Sequence, residues 1–440
     1  MGLSQSLTTA QSALRAHQQR LDVIANNVAN VNTLGYKASR ARFAEYFARQ
    51  LRMGTAPEAS AGLGGIDPLQ IGMGVYMASI FVDMSQGALT VTNRPLDMAL
   101  QGEGFFVVRL NGQQRLTRAG VFTLDAQGNL VDAVTGALVQ GYNALFDAEG
   151  RLVRDNAGSV VLSRRVDALR LPPGLRSPAR QTEQVRVAGN LSAGMTTGES
   201  IATSILIYDA RGGTHELRLE FRKTSNPNEF ELSLAVDGRT VRLPASATLV
   251  RFRADGGLEA PRSFTVSASE LNTAVGASSP VFDTTRSLTV HLAPSGTSPV
   301  GVTNLAGGST ISFVEQDGYG VGELVDLQVE PNGKLVGSFT NGRTEVLGQL
   351  VIAKVMNPGG LVREGDNLFA VSPSSGSPVF GTAGELFPTT RVIGGAVEEA
   401  NVDLTTEFTE LIATQRAFEA AARAVAVSDQ ILVEINALKR

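Results

Sequence analysis

The chain contains no cysteine and no tryptophan, and only three of its 440 residues are histidine. Without cysteine, disulfides and thiolate metal sites are excluded. His17, His215 and His291 stand far apart and outside any HExxH context, so no zinc pattern can be drawn and no cofactor is implied. A strong excess of either sign of charge is also missing. The formal net charge of −4 gives no electrostatic preference for nucleic acid or anionic lipid. No window approaches the roughly 18 consecutive apolar residues of a membrane span. The N-terminus lacks the basic start, apolar core and small-residue cleavage site of a secretory signal, so export would need another route. The Gly-rich stretch 62–74 has no GxxxxGK[ST] lysine and reads as a loop rather than a phosphate cradle. Acidic residues are scattered, and no acid–base pair is legible.

What is present is strongly patterned at both ends. Leu3, Leu7, Ala10, Leu14, His17, Leu21, Ile24, Val28 and Val31 alternate at spacings of four and three, the seam of a coiled-coil-type helix broken only by His17. At 1.5 Å per residue this seam is about 43 Å long and needs a partner helix. Asn26, Asn27, Asn30 and Asn32 then crowd its end and Gly35 stops it. Asparagine amides compete for backbone hydrogen bonds, so four of them signal helix termination or side-chain bonding between neighbours. Residues 401–440 contain no glycine or proline, offer Asp403 or Thr405 as a cap, and close on Lys439 and Arg440, which suit a helix C-terminus. Phe408, Leu411, Gln415, Phe418, Ala422, Val425, Asp429 and Leu432 form one stripe on this helix. Ala420, Ala424, Val427, Ile431 and Leu438 form a second. One partner helix cannot cover both, so the helix is expected inside a larger core or against other copies of the chain. Residues by themselves leave open whether the seams form an intramolecular core or a polymer interface.

Between the ends, short alternating runs are broken by Gly, Asn and Asp. Strands are expected at 104–110, 204–208, 215–221, 230–236, 324–329, 334–339 and 349–355, with turns at Asn111-Gly112, 125–129, 211–213, 225–228, 331–333 and Asn341-Gly342. The fold class expected is mainly β with long terminal α-helices, in nested, discontinuous domains. A helical layer takes residues 1–32 and 399–440, and an extended connector with a short helix or hairpin takes 33–75. One β domain takes 76–150 and 323–398, and an inserted β domain takes 151–322. Lys37, Arg40, Arg42, Arg49 and Arg52 read as a solvated face or as subunit salt bridges.

These residues carry a resemblance. ANNVANVNTLGYK at 25–37 and NVDLTTEFTELIATQRAFEAAARAV at 401–425 resemble the N- and C-terminal signatures of the bacterial flagellar axial proteins, the rod and hook family. The likeness continues through RPLDMALQGEGFFVV at 94–108, TRAGVFTLDAQGNLV at 117–131 and the stretch 341–378, in the family's order. SILIYDARGGTHELRLEFRKT at 204–224 is similar to a hook segment, whereas the distal rod branch has little between the two halves of its β domain. The resemblance therefore implies a non-enzymatic structural subunit of the flagellar hook, a curved tube that transmits torque from rod to filament. The alternative is a distal rod or other axial component. It implies a homopolymer located at the flagellum, outside the cell. Its other partners would be the distal rod, the hook-filament junction, the hook cap and the flagellar type III export apparatus, with no nucleic acid and no membrane insertion. The implied subunit-packing residues are Leu7, Leu14, Leu21, Val28, Leu411, Phe418, Val425 and Leu432. The implied family motif is Asn26, Asn27, Asn30, Asn32, Gly35, Tyr36 and Lys37.

Overall fold

A computed structural model describes residues 2–54, 56, 64–147, 152–155, 159–276, 279–293 and 301–438. The boundary expected at 150–151, part of the connector and of the Gly-rich stretch, and Lys439 and Arg440 lie outside the described residues, as do the side chains of Leu3 and Leu438. The protein is mainly β with a few helices. Helix α1 (Gly2–Ala29) and the last helix, α3 (Leu404–Leu438), lie against each other, while a short helix, α2 (Ala268–Val275), sits in the middle of the chain. No described helix is long and apolar enough to cross a membrane.

Two distant stretches of sequence build one sheet. The strand Leu138–Asn143 pairs with Phe105–Leu110 on one side and with Thr344–Leu350 on the other, so chain from before residue 171 and after residue 322 is hydrogen-bonded into a single unit. Phe105–Leu110 is buried on both faces. Phe106 and Val108 enter a core with Phe122, Leu130, Leu350 and Ile352, while Phe105 and Val107 join Leu116, Val351 and Phe369 on the other side. Period-2 alternation puts successive side chains on opposite faces, which is why GFFVV is a continuous apolar run. The run expected as one strand at 349–355 is two. Thr344–Leu350 pairs with Lys334–Phe339, whereas Ile352–Lys354 leaves for Phe105 and Val379–Gly381. The N–H of Val351, between them, reaches Gln140.

Residues from about 184 to 316 form two further sheets, of six and five strands, around their own core of Phe221, Phe230, Leu232, Val250, Phe264, Leu288 and their neighbours. α2 closes one side under a capping box made by Ser267 and Glu270. Only two strands of chain lead into this unit, joined at the neck by a bridge in which Arg180 and Tyr319 exchange both backbone bonds, at 2.9 and 3.0 Å.

The connector is a long β-ribbon. Ser39–Glu45 pairs antiparallel with Val75–Val82 against α1, and Ala48–Arg52 pairs with Leu69–Gly72 beyond it. The return strand thus runs past residue 75.

Candidate assembly interface

α3 begins where Asp403 accepts from the Thr405 N–H at 2.9 Å and the Thr406 hydroxyl at 2.7 Å, so Asp403 is the cap. These bonds, that from Thr406 first, hold its carboxyl below the usual value. Leu411, Phe418, Val425 and Leu432 are half-buried, in phase with buried Glu407, Thr414 and Ser428. Of the expected stripe, Leu411, Phe418, Val425 and Leu432 lie on this inner face, whereas Phe408, Gln415, Ala422 and Asp429 are exposed and Glu407, Thr414 and Ser428, one residue earlier, take their places. Polar residues occupy it because each finds a partner. Thr414 and Ser428 donate to the carbonyls of Glu410 and Ala424, at 2.7 and 2.8 Å, and Glu407 pairs with Arg40 at 3.0 Å. On α1, Leu7, Leu14, Leu21 and Val28 are half-buried, while Ala10, Ala16 and Ile24 are buried. His17 stacks edge-on against Phe43 of the ribbon, with ring centroids 5.7 Å apart.

The asparagine-rich end of α1 is a junction. Asn27, fully buried, receives the Ser39 N–H at 2.9 Å and donates to the Ser39 carbonyl at 2.8 Å and to Glu407 at 3.2 Å, linking α1, the ribbon and α3. Asn26 and Asn27 both accept from the Tyr36 hydroxyl, at 2.8 and 3.3 Å. Asn30 donates back to the Asn26 carbonyl at 2.9 Å and accepts from Thr33. Asn32 is exposed. Gly35 has φ +70° and donates to the Glu398 carbonyl at 2.7 Å, and a Cβ there would lie 2.6 Å from the Ala119 nitrogen. Both conditions call for glycine.

Lys37 departs from the surface reading of the basic cluster. Its side chain is fully buried, with its Nζ 2.6 Å from both Glu398 and the Ser85 carbonyl, and Arg118 approaches the other Glu398 oxygen at 3.3 Å. Burial pulls the Lys37 amine below its ordinary value, against the opposing pull of Glu398. Of the remaining basic residues, Arg40 pairs with Glu407 and Glu410 and Arg42 lies over the Phe81 ring.

Sequence reasoning missed the ribbon's outer end, where Tyr46, Phe47, Leu51, Met53, Ile66, Leu69 and Ile71 are all exposed. The aromatic–polar mixture FAEYFARQL was the available signal. α3 likewise turns Phe408, Ile412, Val427 and Val433 outward, each at least half exposed.

Four stretches of the chain match family models. Residues 7–37 match the flagella basal body rod protein and 99–190 the flagellar hook protein FlgE/F/G D1 domain. Residues 188–319 match the flagellar basal body protein FlaE D2 domain, and 393–438 the flagellar basal body rod FlgEFG protein C-terminal region. Together they define the class as an axial protein of the bacterial flagellum. The flagellar hook protein FlgE of Treponema pallidum is 32% identical over the full length of both chains. That of Borreliella burgdorferi is 31% identical over 99% of this chain and all of its own, and that of Escherichia coli K12 is 30% identical over 97% and 98%. The chain belongs to the flagellar hook protein FlgE family and is a structural subunit of the flagellar hook.

Proposed function

We propose that the chain polymerises through its two terminal helices into a curved tube that acts as a universal joint, passing torque from rod to filament. The α1–α3 pair forms the inner, coiled-coil-like layer, in nested order with the split β domain and the inserted outer domain. The observation that carries this reading is the outward apolar face of α3. Among the described residues nothing covers Phe408, Ile412, Val427 and Val433, each at least half exposed, and apolar side chains left bare in such number on one helix suit burial against another copy. Leu7, Leu14, Leu21, Val28, Leu411, Phe418, Val425 and Leu432 pack the layer, and the asparagine junction from Asn26 to Lys37 fixes how it meets the β domain. The subunit performs no catalysis. It leaves the cell through the flagellar type III export apparatus and meets the distal rod, the hook-filament junction and the hook cap at the ends of the polymer. Electron microscopy of the concentrated full-length chain tests the central claim. Tubes support it, whereas a persistent monomer under conditions that polymerise a relative's hook protein overturns it.

A further inference from the structure

The chain has three Asn-Gly pairs, at 111–112, 332–333 and 341–342, each in a turn between strands. Asn-Gly is the sequence most prone to spontaneous deamidation because glycine leaves its backbone nitrogen unshielded. Whether the reaction runs in a folded protein depends on two groups, the attacking glycine N–H and the departing asparagine amide. At Asn332 both are engaged. Its Nδ2 donates to Glu330 at 3.1 Å, its Oδ1 accepts from the Lys334 N–H at 3.0 Å, and the Gly333 N–H is bonded to the Glu330 carbonyl at 2.8 Å. Gly333 is also buried. At Asn341 the Nδ2 donates to the Ser177 hydroxyl and to the Gly320 carbonyl, at 3.2 and 3.0 Å, and the Gly342 N–H donates to the Phe339 carbonyl at 2.9 Å.

Asn111 differs on every count. It occupies the first central position of a two-residue hairpin between Phe105–Leu110 and Gln113–Thr117, with φ +50° followed by +78° at Gly112, the signature of a type I′ turn. Both residues are exposed, and no atom lies within 4 Å of a Cβ placed on Gly112. Among the described residues nothing hydrogen-bonds the Asn111 amide, and no carbonyl accepts from the Gly112 N–H.

We infer that Asn111 is a modification site at which the folded chain deamidates. The Gly112 nitrogen loses its proton and attacks Asn111 Cγ. A C–N bond forms, the Cγ–Nδ2 bond breaks, and the side-chain nitrogen departs as ammonia, leaving a five-membered succinimide. Water then opens the ring at either carbonyl, giving aspartate or isoaspartate. The isoaspartate product carries one more methylene in the main chain, which a two-residue turn cannot absorb without loosening the Leu110–Gln113 register.

The purified full-length chain, aged at mildly alkaline pH and mapped by peptide mass spectrometry, tests this. The deamidation mass gain is expected first at Asn111, with Asn332 and Asn341 lagging roughly tenfold because each must wait for its turn to open. In denaturant the three rates should converge. Isoaspartate methylation alone would also report isomerisation at Asp237-Gly238, Asp255-Gly256 and Asp317-Gly318, so the mass gain is the readout. Equal rates in the folded chain overturn the proposal. So does a lead at Asn111 that persists unchanged in denaturant, which would place its cause in neighbouring residues rather than in the fold.

Discussion

The inserted unit and the terminal helices solve the problem of apolar surface in opposite ways. The insert folds its apolar residues onto one another, so that Phe221, Phe230, Val236, Val266 and Leu288 are all inaccessible. α3 satisfies one face with α1 and leaves another bare, with Val433 63% and Ile412 56% exposed. One region is complete within a single chain and the other is not. Burial of a Leu- or Ile-sized side chain is worth about 1.5–3 kcal/mol. The helices therefore keep bare apolar area that the proposed contact between copies would bury, whereas the insert's core is already closed and only side chains such as Leu206, Leu305 and Val314 stay exposed on it.

The contrast can be broken most sharply with Leu432→Asp. The carboxylate would have to be buried or neutralised, at several kcal/mol in every subunit, and polymer formation should be lost while the β sheets melt normally. Electron microscopy and circular dichroism of the variant decide it, and normal hooks would remove Leu432 from the packed layer. Phe221→Ala should do the reverse, lowering the stability of the insert by about 3–5 kcal/mol in a denaturant melt while the terminal helices still assemble. Loss of assembly with a folded insert would show that the two regions are coupled. Gly35→Ala should cost about 1–3 kcal/mol, because the backbone stays left-handed and the new methyl meets the Ala119 backbone. The loss should appear in the helix pair and the junction, read by faster proteolysis of both termini, and unchanged cleavage would contradict the clash.

The smallest effect is one of pH. Burial, and secondarily the charge of Arg20, hold the His17 imidazole below its ordinary value of 6.5. The unfolded chain therefore takes up a proton more readily than the folded one. The stability of α1 on the ribbon is complete above pH 6.5 and declines as pH falls from there through the lowered value. His17→Phe should flatten that decline in a pH series of thermal melts. An identical slope in the variant would assign the acid sensitivity elsewhere.

Much of this was legible because it is periodic. The seam of α1 and the hairpin turns follow from spacing alone, and residues 25–37 carried the family signature. The phase of α3 was harder to read. Glu407, Thr414 and Ser428 look like surface residues until their partners are known, and those partners are Arg40, far away in sequence, and the helix's own carbonyls. Lys37 was misread for the same reason, since its counter-charge, Glu398, belongs to the other end of the chain. The strand at Thr344–Leu350 was expected only from residue 349 onward because RTEVLGQ alternates weakly, and its place is set by two neighbouring strands. Local pattern reports local structure. Contacts between distant residues of opposite charge leave no pattern to read.

The bond between Lys37 and Glu398 also sets an order in time. Its partners are 361 residues apart in sequence, and loop-closure entropy makes so remote a contact late compared with hairpins whose partners are adjacent. A chain threaded through a narrow passage from either end keeps the two apart until nearly all of it is through. Meanwhile the insert, whose described core residues run from Val185 to Phe313, is free to condense as soon as it is clear. Closure of the junction is thus a test of completeness. A truncated chain can fold its middle, but only a finished one can bring Lys37 to Glu398.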